Sequence, residues 1–132
     1  MKNGLEKVDT WQLGYNHSTY AKAGNFIFTS YHTGIRDENG KLLETIEEQT
    51  EQCFKELLKT LSKAGATAHD IVKMNVYLRH QESRKDKQDE FRKMDKVYEK
   101  FFTNSFPVRM GIWTSFFEER CLIQLEAIAY KE

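Results

Sequence analysis

Arg109 follows Phe106-Pro107-Val108 and leads into an apolar stretch, Met110 to Thr114. A guanidinium presents planar paired donors that hold a carboxylate bidentately. From position alone, a surface or interface ion pair is the plainer reading. Glu126, in Gln124-Leu125-Glu126, reads at least as readily as part of a structural or interface ion pair as it does as a catalytic carboxylate. The histidines His17, His32, His69 and His80 show no helical His pairing and no cysteine partner nearby, so no metal site is expected. Cys53 falls on an apolar helical stripe and Cys121 at the start of a strand-like run. Both read as reduced core thiols rather than nucleophiles. No glycine-rich phosphate loop is present.

The elements that must position these residues are legible from periodicity. Gly24-Asn25 separates two strand segments, Tyr20-Ala21 and Phe26 to Ser30, as a hairpin turn. Asp37-Glu38-Asn39-Gly40 signals a second turn. Thr45-Ile46-Glu47-Glu48 fits a capping box. Ile46, Thr50, Cys53, Phe54, Leu57, Leu58, Leu61 and Ala64 then recur at helical spacing, and Gly65 is placed to end the helix. Ile71 to Leu78 alternates as a strand, and Arg79 to Glu90 is a mixed-charge solvated loop running into a helix start. Phe91, Met94, Val97, Tyr98, Phe101 and Phe102 mark a second helical face. Pro107 suits the entry to a strand over Val108 to Thr114. Glu118-Glu119-Arg120 reads as a solvated turn before a last strand, Cys121 to Tyr130.

The order is strand, strand, helix, strand, helix, strand, strand, which is an α+β or α/β arrangement of two helices on one sheet, and α+β is the class expected here. With 132 residues the chain has room for one domain, residues 1–132. Twenty basic and twenty acidic residues balance to zero net charge, which argues against a general nucleic-acid or membrane-surface binder. No apolar run approaches a membrane span, and the first ten residues lack an export signal, so a cytoplasmic location is expected. Several strands are apolar on both faces, as in Phe26-Ile27-Phe28 and Val76-Tyr77-Leu78. Two helices cover only one face. A homo-oligomer would bury the other.

Six segments together resemble one known family. They are Lys22 to Ser30, Glu48-Gln49-Thr50-Glu51-Gln52, and Ala64-Gly65-Ala66 followed by Asp70 to Leu78. The others are Tyr98-Glu99-Lys100-Phe101-Phe102, Phe106-Pro107-Val108-Arg109, and Leu125-Glu126-Ala127-Ile128-Ala129. In order and spacing they are similar to the YjgF/Rid family, the reactive intermediate deaminases. The resemblance implies a chorismate-mutase-like fold. It implies a barrel-forming homotrimer with a cleft at each subunit interface. It also implies hydrolysis of 2-imino (enamine) acids to 2-oxo acids and ammonia, without metal or cofactor.

On that resemblance Arg109 grips the substrate carboxylate. Gln124 occupies the position where many members carry a water-activating glutamate. Glutamine can orient water but cannot take its proton. His17, in Tyr15-Asn16-His17-Ser18, replaces an upstream tyrosine of the family, and Tyr31-His32 replaces the glycine-glutamine after Ser30. Gly111 is placed to offer a backbone N–H to the carboxylate. The expected site is therefore Arg109 and Gln124 for catalysis, with Gly111, Ser30, Tyr31 and His17 beside the substrate. The alternative, drawn from Gln124 and Tyr31, is a non-catalytic trimeric binder of small carboxylates. A ribonuclease or translation effector is a weaker third class, since basic residues are not clustered.

Overall fold

In a computed structural model, residues 4–9 and 16–132 are described. Tyr15 of the upstream segment and part of the first ten residues lie outside them. The strands are β1 (Leu5–Val8), β2 (Tyr20–Ala23), β3 (Phe26–Thr29), β4 (His32–Thr33), β5 (Ile71–Arg79), β6 (Val108–Thr114) and β7 (Ile123–Tyr130). The helices are α1 (Ile46–Lys63) and α2 (Arg84–Glu99). The sheet runs β1-β2-β3-β7-β5-β6, with β4 also paired to β7. β5 and β6 are parallel, and the other pairings are antiparallel.

Two short strands, β1 and β4, were not expected. Each is too short for its alternation to stand out, and β4 is only two residues long. Within the expected Arg79–Glu90 loop, the helix starts at Arg84, capped by the Ser83 hydroxyl. The polar first turns of α2 have no apolar stripe to announce them. The last strand begins at Ile123 rather than Cys121.

α1 forms where its cap predicts. The Thr45 hydroxyl accepts from the Glu48 N–H at 3.1 Å, and the Glu48 carboxylate accepts from the Thr45 N–H at 3.4 Å. Ile46, Cys53, Phe54, Leu57 and Leu61 bury its apolar side. At its C-terminus Gly65 takes φ +85°, a left-handed conformation that costs glycine little, while the Ala66 N–H bonds the Leu61 carbonyl. Phe54 stacks on Phe101 at 4.4 Å and meets Tyr98 and Phe102 edge-on, which fixes the end of α2 against α1.

Period-two alternation divides the sheet into two faces. Ile27, Met74, Val76, Leu78, Ile123, Leu125, Ala127 and Ala129 are buried and share the core with the helices. The intervening residues form the opposite face, where Phe26, Phe28, Met110, Ile112 and Tyr130 are exposed. Glu126 also lies there. Its carboxylate accepts from Asn75 Nδ2 at 2.8 Å and the Tyr77 hydroxyl at 2.6 Å. Within the chain these hydrogen bonds join β7 to β5.

Two contacts set the loops around the sheet's end. Gly34 is buried, and a Cβ built on it would lie 2.1 Å from the Gln49 carbonyl oxygen and 2.6 Å from the Cys53 amide. The chain after β4 therefore passes against bare α1 backbone. Gln49 is fully buried. Its Nε2 donates to the carbonyls of Leu43 and Arg120, and its Oε1 accepts from the Leu122 N–H at 2.8 Å. One amide thus ties the helix to two loops, including the one that delivers β7.

Candidate functional site

Two hollows that share no lining residue take four of the sequence-predicted residues, His17, Tyr31 and Gln124 in one and Arg109 in the other, while Ser30 and Gly111 line neither. The first, about 310 Å³, is lined by His17, Tyr31, His32, Phe117, Cys121 and Gln124, among others. Gln124 reaches it from β7, opposite Tyr77 on β5 and Thr33 on β4. Tyr31 is 46% exposed and stacks with His17, ring centroids 6.3 Å apart. These two departures from the family pattern therefore form one aromatic wall.

Ser30 anchors that wall from behind. Its hydroxyl donates to the Ser18 carbonyl at 2.7 Å, and its N–H donates to the Thr19 carbonyl. His32 is buried. Its Nδ1 lies 3.0 Å from the Ser30 carbonyl, which can only accept, so Nδ1 carries the proton. Nε2 then accepts from the Thr60 hydroxyl at 2.7 Å. Burial is the main influence on the ring and pushes its pKa down, so it rests neutral. Sequence reasoning gave His32 no role. Its signal was visible only as a bulky polar residue beside Tyr31.

Cys121 is buried at the same hollow, and its thiol contacts the Ile123 carbonyl at 3.3 Å. Cys53 is buried on α1 with its thiol on the His32 carbonyl. Burial pushes both thiols upward, which holds them protonated and suits core residues rather than nucleophiles.

Arg109 lies elsewhere, on β6, across from Met74. That register puts it on the helix side of the sheet, whereas Gln124 belongs to the opposite face. Its guanidinium sits over the Tyr98 ring at 4.6 Å and the Phe91 ring at 5.3 Å. Nη1 donates to Asp95 of α2 at 2.5 Å. The ion pair that the sequence allowed is therefore present, and its partner is Asp95. The second hollow, about 360 Å³, is lined by Asp95, Tyr98, Glu99, Phe106, Pro107 and Arg109. Burial pushes the Tyr98 hydroxyl upward, and the Arg109 charge opposes this in part. Gly111 is exposed on β6, two residues beyond Arg109, and alternation places it on the same side. Asp95 gave no sequence signal beyond being a polar position beside Met94 on the second helical segment.

The family model Endoribonuclease L-PSP matches residues 12–131. A RutC family protein of Pyrococcus abyssi is 39% identical over 117 residues, covering 88% of this chain and 87% of its own length. Reactive Intermediate Deaminase A, chloroplastic, of Arabidopsis thaliana is 31% identical over 114 residues, covering 86% of this chain and 57% of its own length. A solved structure from Thermotoga maritima that carries an endoribonuclease label is 30% identical with a TM-score of 0.78. It matches 100% of this chain and 99% of its own.

Proposed function

Since the chain belongs to the Endoribonuclease L-PSP family, the YjgF/Rid proteins, we propose that it hydrolyses small 2-imino acids to 2-oxo acids and ammonia. The observation that carries this reading is the mounting of Arg109. The guanidinium is seated on two aromatic faces at the rim of a hollow, within the Phe106-to-Arg109 segment that the family resemblance marks for carboxylate binding. Stacking leaves the in-plane N–H groups other than the one given to Asp95 for a carboxylate, and fixing the acid also fixes the neighbouring imine carbon.

The chemistry is an addition and an elimination. Water adds to C2 of the protonated imine and gives a carbinolamine. A proton moves from oxygen to nitrogen, the C–N bond breaks toward nitrogen, and ammonia leaves with the carbonyl behind. The Gln124 amide oxygen can accept a hydrogen bond from the incoming water, while the proton must go to water or to the departing nitrogen.

Within one chain Arg109 and Gln124 line different hollows. A complete site therefore takes its carboxylate-binding half from one subunit and the His17, Tyr31 and Gln124 wall from another. We place that junction in a homotrimer, which would also cover the apolar open face. The partner molecule is then a small carboxylate, with no nucleic acid or membrane involved.

A second reading keeps the trimer and the carboxylate but not the turnover. Gln124 lacks a carboxylate's basicity, and the bulky Tyr31 ring lines the first hollow. Both favour a binder. Release of ammonia and 2-oxo acid from freshly generated 2-aminoacrylate separates the two. The deaminase accelerates release over buffer, and Arg109→Ala returns it to the buffer rate. No acceleration, or an Arg109→Ala variant equal to wild type, overturns the proposal.

A further inference from the structure

We infer that Asp95 is a specificity-determining residue that selects ligands carrying an N–H cation beside their carboxylate, amino- or iminium-acids rather than 2-oxo acids. The inference rests on Arg109 as the carboxylate anchor and adds the identity of the group beside it.

The guanidinium is not a bare cation. Asp95 already accepts from Nη1, with Asp95 42% and Arg109 27% exposed in their side chains. Glu99 lines the same hollow, so its lining holds one cation and two carboxylates. On the other side of Asp95 a separate hollow presents Arg84, Lys87 and Arg92, and Arg92 pairs with Asp89. None of these three cations lines the Arg109 hollow.

A ligand that is only an anion meets conflicting fields there. It gains Arg109 but sets its carboxylate beside that of Asp95, and two carboxylates crowding one guanidinium repel. A ligand with a protonated nitrogen on the adjacent carbon meets no such conflict. Its carboxylate takes Arg109 donors while its N–H donates to Asp95, so each charge finds its opposite. Five guanidinium donors leave room for both carboxylates when the cation sits between them. The same arrangement opposes retention of the product, which has lost its nitrogen.

The test is calorimetry of the full-length protein with 2-oxobutanoate and with L-2-aminobutanoate, stable probes that differ at one group. Wild type should favour the amino acid. Asp95→Asn, nearly identical in shape, should weaken the amino acid and tighten the oxo acid, each by roughly tenfold. Asp95→Ala should shift the preference in the same direction, with circular dichroism confirming the fold of both variants. An amino-to-oxo preference unchanged in both variants overturns the inference. If Arg109→Ala nevertheless abolishes binding of both probes, the carboxylate anchor stands and only the role of Asp95 falls. If Arg109→Ala binds both probes like wild type, the anchor itself fails. If neither probe binds wild type or Asp95→Asn, both the anchor and the role of Asp95 fall, whereas wild type that binds the amino acid alone shows the expected preference at its strongest.

Discussion

Gln124 has the shape of a glutamate without its basicity, and it already faces a hollow next to Tyr31. Gln124→Glu should raise turnover of 2-aminoacrylate by roughly 10²-fold, the lower end of what a positioned base contributes. Parallel rate assays of wild type and variant check this, and an unchanged rate places water activation elsewhere. His32 makes a different prediction. Burial lowers its folded-state pKa below the ordinary 6.5, so protonation favours the unfolded chain. Its contribution to stability is complete above pH 6.5 and is lost as the pH falls through the folded value. Thermal melts should show a drop in Tm just below pH 6.5 that is smaller in His32→Asn. An equal drop in both would assign the acid sensitivity to other groups. The proposed carboxylate role of Arg109 rests on the resemblance of its segment to the family, while the ion pair that its sequence position allowed is present with Asp95. Asp95 itself was not legible, because its meaning depends on the α2–β6 contact, which joins residues 14 positions apart.

Local rules carry furthest where short-range chemistry decides. The capping box of α1 and the left-handed Gly65 follow from a few adjacent residues, and both occur as the sequence implies. β4 and the Gly34 crossing do not, since they depend on β7 and on α1 backbone far along the chain. Gly34→Ala should therefore cost at least about 3 kcal/mol, because the added methyl meets main chain that cannot move without unseating the helix. By contrast Thr45→Ala, which removes one cap, should cost about 1 kcal/mol. Urea unfolding of the two variants measures both. A Gly34→Ala variant as stable as Thr45→Ala would show that the helix has room to shift. Gln49 is the other long-range device. Amphipathic spacing gave no reason to bury it, and its burial is explained by three hydrogen bonds to backbone outside α1.

The two-faced apolar strands are seen in the fold as an open sheet surface bearing Phe26, Phe28, Met110, Ile112 and Tyr130. Soluble single chains rarely leave so broad an apolar surface to water. Light scattering should give a particle of three 15.6-kDa chains, and Phe28→Asp should shift it toward the single chain. A monomer at micromolar concentration in the wild type would defeat the assembly and, with it, a site shared between subunits. The placement of β7 bears on how such a particle is made. This strand, Ile123–Tyr130, is the last one along the chain but lies between β3 and β5. Until a ribosome has released those residues, the β1-β2-β3 portion and the β5-β6 portion have no strand to join them. Synthesis therefore holds the sheet divided until β7 has been made, and the apolar surface that a second copy would recognise is complete only from that point.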